Sequence, residues 1–583
     1  MSAETKLPAI DRSHDISQPL EKLHPNERLK DQSNYLRGTI EQSLAAPLTG
    51  SVTSDDTKLM KFHGIYQQDD RDLREERRRQ KLEPAYQFMV RVRLAGGVCS
   101  PRQWLKIDEL SELYGGATLR MTTRQTFQFH GILKPNLRNT IQGLNEVLLD
   151  TIAACGDDTR GVMCSVNPHL SALHAEVYDL ARRTSNRVIP KTRAYHEIWL
   201  NGEKVAASDA DTPPEDPIYG RTYLPRKFKF GFVIPPVNDI DVYAQDVGLI
   251  AIAEGEKLLG FNLSVGGGMG NTDNAPETFP RLGDVVGYFP KEKLFDIAVA
   301  TATIQRDYGD RVDRMHARFK YTIEDRGTDW FKAELASRVG FPLEEARPFE
   351  FTSNGDTYGW VQGSDGMWHF TMFIENGRIR NTPQRPLKTA LRELALVHKG
   401  ELRLTPNQNL IVANVSEAEK PHIADMLATY GLDSSIHASA LRLNSMACVA
   451  LPTCGLAMAE SERYLPTLVT KVERILADHG LQDVPITMRM TGCPNGCARP
   501  YIAEIGFTGR APGKYNFYLG GGFHGQRLNR LYLENVGEAR ILEELGKIIA
   551  HFAKDRHDKE HFGDFVIRAG YVRAVTGGND FNS

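Results

Sequence analysis

Apolar and polar positions along this 583-residue chain fall into short blocks of two periods. Phe88-Met89-Val90-Arg91-Val92-Arg93-Leu94 alternates, as a strand with one buried face does. Gly96-Gly97 follows as a turn. Gln103 to Leu113 spaces its apolar residues for a helix, and Leu119 to Thr122 and Thr126 to Phe129 predict further strands. The same order returns much later. His369 to Ile374 is a predicted strand, Gly377 a turn, and Leu387 to His398 a helix.

Two echoes reinforce the repeat. Leu402-Arg403-Leu404-Thr405-Pro406-Asn407-Gln408-Asn409-Leu410 keeps Leu, Arg, Thr and Gln in register with Leu119-Arg120-Met121-Thr122-Thr123-Arg124-Gln125-Thr126-Phe127. Phe261-Asn262-Leu263-Ser264-Val265-Gly266-Gly267-Gly268 is matched by Tyr515-Asn516-Phe517-Tyr518-Leu519-Gly520-Gly521-Gly522. Two echoes in one order imply an internal duplication, each half holding a smaller and a larger α/β unit. The period is far longer than that of solenoid repeats. The junction of two such halves is a natural seat for one large ligand.

Composition narrows the classes. Hydrophobic residues are 41% and charged residues 25%, which argues against wholesale disorder, collagen and coiled coil. A net charge of -3 argues against a non-specific nucleic-acid binder. No run approaches the ~20 apolar residues of a membrane helix, and the opening residues lack the apolar core of a signal peptide. The expectation is a cytoplasmic protein. Residues 1 to about 60 are poor in apolar positions and read as an extended arm.

Seven cysteines in such a chain do not form a disulfide framework. Four of them cluster as Cys448-x5-Cys454 and Cys493-Pro494-Asn495-Gly496-Cys497. Pro494 has no N–H and Asn495-Gly496 favours a tight turn, so this loop can aim two sulfurs at one point. Four thiolates suit a cubane 4Fe–4S cluster. Structural zinc also takes four Cys, usually with a C-x2-C knuckle that is absent here, and buried inert thiols are a third reading.

A second constellation is cationic. Arg226, Lys227 and Lys229 stand within Tyr223 to Phe230, and on a strand Lys227 and Lys229 share one face. Two adjacent ammonium groups repel unless an anion lies between them; a solvated edge strand guarded by Lys is the alternative. Arg91, Arg93, Arg120, Arg124 and Arg160 could join them in a polyanion pocket. The glycine-rich stretches match neither the dinucleotide fingerprint nor the phosphate loop. Any NADPH electrons therefore enter through another chain. Neither H-E-x-x-H nor G-x-S-x-G occurs, which weakens hydrolase readings.

Thr491-Gly492-Cys493-Pro494-Asn495-Gly496-Cys497, with Cys448 and Cys454 upstream, resembles the signature of the sirohaem-dependent sulfite and nitrite reductases. Arg124-Gln125-Thr126-Phe127-Gln128-Phe129-His130 and Leu224-Pro225-Arg226-Lys227-Phe228-Lys229 add to it. The likeness runs from about residue 25 to the C-terminus, and the stretch Asn26 to Ile40 is similar to haemoprotein (beta) subunits of the assimilatory, NADPH-linked branch. The resemblance implies an α+β, internally duplicated, three-domain fold with pseudo-twofold symmetry around one sirohaem. Its expected parts are an extended N-terminal arm (1–80), a ferredoxin-like duplicated domain (81–155 with 357–432), a first sirohaem-binding α/β domain (156–356) and a second α/β domain with the cluster cysteines (433–583).

It also implies that Cys448, Cys454, Cys493 and Cys497 hold one 4Fe–4S cluster, with Cys497 shared as axial ligand of the sirohaem iron. Arg91, Arg160, Lys227 and Lys229 would bind sulfite. Arg120, Arg124, Gln128, Arg226 and Asn495 would contact the macrocycle, with Lys320 as an addition. Gly455 stands where the family pattern carries Pro, beside a ligand. The implied reaction is the six-electron reduction of sulfite to sulfide in sulfate assimilation and cysteine biosynthesis, with an NADPH-dependent flavoprotein (alpha) subunit as donor. A ferredoxin-dependent sulfite reductase and an assimilatory nitrite reductase are the near alternatives. A zinc-stabilised binding protein without catalysis is the distant one.

Overall fold

The computed structural model describes residues 10–166, 171–201 and 215–582; the first nine residues of the expected arm lie outside them. Among the described residues twenty strands run in chain order as four groups of five. The first group is β1 (Ile65–Asp69), β2 (Tyr86–Arg91), β3 (Val98–Cys99), β4 (Leu119–Met121) and β5 (Phe127–Ile132). The second is β6 (Met163–Cys164), β7 (Phe230–Val233), β8 (Val247–Glu254), β9 (Lys257–Val265) and β10 (Asp284–Pro290). The third is β11 (Gly359–Gln362), β12 (Trp368–Met372), β13 (Arg378–Ile379), β14 (Glu401–Leu404) and β15 (Leu410–Val415). The fourth is β16 (Ser445–Ala447), β17 (Met488–Thr491), β18 (Ile505–Ala511), β19 (Lys514–Leu519) and β20 (Arg530–Val536).

The two smaller units exchange an edge strand. Their sheets run β1-β2-β5-β4-β13 and β11-β12-β15-β14-β3, so each borrows its last strand from the other half. Glycine makes the exchange possible. Gly97 (φ 75°) and Gly377 (φ 69°) lead into the borrowed strands, and a Cβ on them would stand 2.5 Å from the Leu404 carbonyl and 2.3 Å from that of Met121. Leu404 and Met121 are themselves matched positions in the sequence echo, so the two crossings mirror each other. The helices Pro101–Tyr114 and Leu387–Val397 then pack together, with buried Asp108 2.9 Å from the Lys388 ammonium. Ser100 starts the first of these helices with a capping box to Gln103 and Pro101 at N1.

The larger units match as well. β6, β7 and β8 are parallel and β8, β9 and β10 antiparallel; β16 to β20 repeat the same pattern. On the second sheet the helix Leu465–Asp478 buries Leu465, Leu468, Val469, Val472 and Leu476, and Glu538–Asp555 buries Ile541, Leu545, Ile548, Ile549 and Phe552. That spacing is one helical stripe, and each such side chain contributes about 2 kcal/mol by leaving water.

From Ile10 on, the segment read as an extended arm is instead folded. It carries the helices Pro25–Gln32, Ile40–Ala45 and Ser54–Leu59, and then β1, which pairs with β2. Leu48 of this segment stands exposed, while several of its other apolar residues, Leu36, Ile40, Leu59 and Met60 among them, are buried. So are some of its charges. Glu27 pairs with Lys30 (2.7 Å) and with Arg311, and Lys30 donates to the Leu224 carbonyl at 2.7 Å. Low apolar content misled because these charges are buried in pairs. Among the described residues no helix is long and apolar enough to cross a membrane.

Candidate active site at the junction of the two halves

Parallel pairing of β16 with β17 sets Ala447 beside Met490, so Cys448 and the loop after Thr491 emerge together. The Gly492 N–H donates to Cys448 Sγ at 3.3 Å, and the Asn495 side-chain amide to Cys493 Sγ at 3.4 Å. Arg71 fixes the Cys454 loop by donating to the carbonyls of Cys454 (3.1 Å) and Ala457 (2.5 Å). The Cys448 thiol is pushed up by burial and then by Cys497 and Cys493. Burial and Cys497 raise Cys454 too, and push Cys493 up to about 11. The four thiols are thus near enough to act on one another's charge. Yet among the described residues no three His, Cys, Asp or Glu converge as they would on a single metal ion. Four thiols on C-x5-C and C-x3-C spacing suit a cubane better than a zinc knuckle, which takes C-x2-C. Inward N–H groups favour its thiolates.

Cys497, the exposed member, opens into a solvent-connected cavity shared with the other half. Arg124, Lys227, Lys229, Arg318, Asn495 and Arg499 line it. Lys227 and Lys229 lie in the extended lead-in to β7, on either side of buried Phe228, which bridges Thr159. Neither ammonium has a hydrogen bond or ion pair with another described residue. Burial, then Arg318 and Arg226, bring Lys227 to about 7; burial, then Arg318 and Arg124, hold Lys229 well below the usual lysine range. Half-buried cations without counterions are costly, and an anion in the cavity would relieve that cost. Such a pocket suits the carboxylates of a tetrapyrrole together with a small oxyanion, so the residues fit both expected cofactors.

Arg91 and Arg160 sit beside this cavity and converge on one carbonyl. Arg91 Nη1 lies 3.3 Å and Arg160 Nε 3.1 Å from Ala154 O. Arg91 also reaches Cys155 Sγ at 2.9 Å. Against burial, Cys155, Tyr66 and Asp158 raise Arg160 further, while burial and Cys155 push the Tyr66 hydroxyl up to about 12.

Other expected contacts turn elsewhere. The Gln128 amide, expected at a macrocycle, abuts Arg91; since both facing groups are donors, its oxygen is assigned there, 3.1 Å from Nε and 2.5 Å from Nη2. Arg120 is 3% exposed and donates to Glu462 (2.7 Å) and the Ala447 carbonyl (2.9 Å) rather than lining the cavity. It supports the strand end before Cys448. Arg226 stands 3.7 Å from Asp157. Arg124 does line the cavity, held by Gln245 Oε1 at 2.8 Å and Gly161 O at 2.7 Å. Lys320 donates to the Gly270 carbonyl at 2.5 Å and to Phe279 O. Arg93, the remaining cation, pairs with Asp150 at 2.6 Å.

Sequence reasoning missed Arg318, Arg499 and Tyr66. Arg318 had a signal, because Arg318-x-Lys320 repeats the spacing of Lys227-x-Lys229. Its buried partner Asp246, 3.1 Å away, had none.

Comparison with known proteins adds to this geometry. The chain matches the family described as nitrite and sulphite reductase 4Fe-4S domain over residues 181–343. It matches the nitrite/sulfite reductase ferredoxin-like half domain over 79–147 and again over 361–430. It is 65% identical over 572 residues to the sulfite reductase (NADPH) hemoprotein beta-component of Nitrobacter hamburgensis, covering 98% of this chain and 99% of that one. The protein of the same name from Methylocella silvestris is 64% identical over 577 residues, 99% of each chain. The solved structure of the NirA protein of Mycobacterium tuberculosis superposes with a TM-score of 0.78 at 26% identity, over 96% of this chain and 99% of that one.

Proposed function

The chain belongs to the nitrite and sulphite reductase family, and from that premise we propose that it reduces sulfite to sulfide by six electrons, as the haemoprotein component of an NADPH-dependent assimilatory sulfite reductase. The observation that carries the reading is one cavity in which the Cys497 thiol of the second half faces the unpaired Lys227 and Lys229 of the first. Cys448, Cys454, Cys493 and Cys497 are the proposed cluster ligands, with Cys497 also serving the sirohaem iron. When bound, the sirohaem and the 4Fe–4S cluster supply the electrons and an iron at which sulfite is reduced. The protein supplies charge and protons.

Lys227, Lys229, Arg91 and Arg160 neutralise the sulfite dianion and concentrate it in the cavity, a preorganised electrostatic role. Arg124 and Asn495 are the proposed macrocycle contacts that line the cavity; Arg226, 3.7 Å from Asp157, is a further proposed contact. Each oxygen that leaves sulfur becomes water, so protons must arrive with the electrons. Lys227, at about 7, can take up and release a proton near neutral pH. Gln128 serves by orienting Arg91.

The proposed donor is an NADPH-dependent flavoprotein (alpha) subunit, supported by the relatives' description as a component of an NADPH enzyme. The cytoplasm is the proposed compartment. Protein made in cells that supply sirohaem should be coloured and carry haem iron plus four cluster irons with acid-labile sulfide. It should turn over sulfite with a higher kcat/KM than nitrite. A colourless protein, or a preference for nitrite, would overturn the assignment.

A further inference from the structure

Asp241 and Arg499 occupy matching positions in the two halves. Each lies eight residues beyond the last residue of its strand, Val233 of β7 or Thr491 of β17. Each has a left-handed backbone (φ 51°, ψ 62° and φ 53°, ψ 50°), and each opens a short 3-10 turn, Val242–Ala244 or Pro500–Ile502. Non-glycine residues rarely adopt this conformation, so its recurrence at one offset marks the two as equivalents.

The equivalents carry opposite charges and meet. Arg499 Nε donates to Asp241 Oδ2, with the two residues 5% and 1% exposed. Arg489 adds a second bond to the same carboxylate at 2.6 Å. The rest of the Arg499 fork reaches both smaller units, Nη1 to Thr123 O at 2.9 Å and Nη2 to Pro406 O at 3.1 Å. Thr123 and Pro406 are each the fifth residue of their sequence echo. One guanidinium thus joins two pairs of equivalent positions, as a group on the local twofold axis must. The turn before it is held at both flanks. Thr123 Oγ1 donates to the Cys497 carbonyl at 2.9 Å, and the Arg499 N–H to the Gly496 carbonyl at 2.9 Å.

We propose that Asp241 and Arg499 are positioning residues for Cys497: an ion pair on the pseudo-twofold axis that locks the Cys497 turn against all four units and aims its thiol into the shared cavity. This rests on the role assigned to Cys497 above and extends it to a residue of the opposite half. Two aspartates or two arginines here would repel, so the lock exists only because the halves have diverged. A lysine at 499 would keep the charge but lose the planar fork that satisfies three acceptors.

The test uses holoenzyme variants read by visible and electron paramagnetic resonance spectra, iron and sulfide content, and kinetics. Arg499→Lys should keep its iron and its KM for sulfite, shift the coupled haem–cluster spectrum, and lower kcat by about 10-fold or more through misplacement. Thr123→Val deletes one hydroxyl with little change of shape. It should shift the spectrum the same way by less, and it keeps the proposal testable if Arg499→Lys fails to fold. Asp108→Asn breaks a different buried pair, far from the cavity, and should lower stability without a spectral shift. Wild-type spectra in both Arg499→Lys and Thr123→Val would overturn the proposal, as would an equal shift in Asp108→Asn. If the wild-type protein itself lacked a coupled spectrum, the role of Cys497 would fall first.

Discussion

The two halves share a backbone plan and put different chemistry on it. Strand register makes Cys164 of β6 the equivalent of Ala447 of β16, because their partners Phe232 and Met490 each precede the last residue of a strand. Ser165 therefore corresponds to Cys448. Asp239 and Cys497 correspond too, each six residues beyond the strand end. In the first half these positions close on each other through a hydrogen bond of 2.6 Å from Ser165 Oγ to Asp239 Oδ1. In the second they are thiols, and burial and then the charge of Cys497 raise the Cys448 thiol. The cations are distributed the opposite way. Lys227 and Lys229 precede β7, whereas Pro485 and Thr487 hold those places before β17. Duplication let one half specialise in soft ligands and the other in anion binding, and folding set the two specialities across one cavity.

Breaking the soft half should have the largest effect. Cys497→Ser is expected to lose the coupled centre, seen as loss of its visible spectrum together with iron and acid-labile sulfide. Normal spectra would contradict the shared-ligand role. Breaking the cationic half should spare the cofactors. Lys227→Met with Lys229→Met is expected to cut sulfite turnover by about 10²-fold or more, with haem content unchanged; wild-type turnover would refute the assignment.

The mirrored strand exchange predicts a smaller, structural effect. Gly377→Ala sets a Cβ 2.3 Å from the Met121 carbonyl at φ 69°, and should destabilise by about 3 kcal/mol, with Gly97→Ala similar. Thermal melts of the two variants differing widely would break the equivalence.

The last contrast is in pH. Burial, with help from Asp356, lifts the Asp239 carboxyl to about 7, whereas in the unfolded chain it titrates near 4. Its folded value is the higher one, so its stabilisation is full below pH ~4 and is lost as pH rises through ~7, at no more than about 1.4 kcal/mol per pH unit. Asp239→Asn should flatten that part of the melting-temperature profile. An unchanged profile would show that Asp239 titrates normally.

Local rules were enough for much of this protein. The duplication is visible in two echoes because equivalent turns need the same small or amide-bearing residues, such as Gly97 with Gly377 and Gln125 with Gln408. The cysteine set is visible because a cluster needs four thiols from turn-rich loops, and Lys227 with Lys229 because a period of two places them on one side. The partners of long cations could not be read this way. Arg120 and Gln128 stand on strands with the right composition for a ligand pocket, yet Arg120 meets Glu462, 342 residues away, and Gln128 turns to Arg91. The N-terminal segment looked extended because its charges find their partners far along the chain, as Glu27 does in Arg311. By itself, then, the sequence determined which residues could make a strand, a turn or a thiolate ligand, since those choices depend on neighbours within a few residues. Only the tertiary structure decided which cations stay unpaired in the cavity and that Arg499 meets Asp241, because the preference of a charged side chain is set by acceptors that folding brings from the other half.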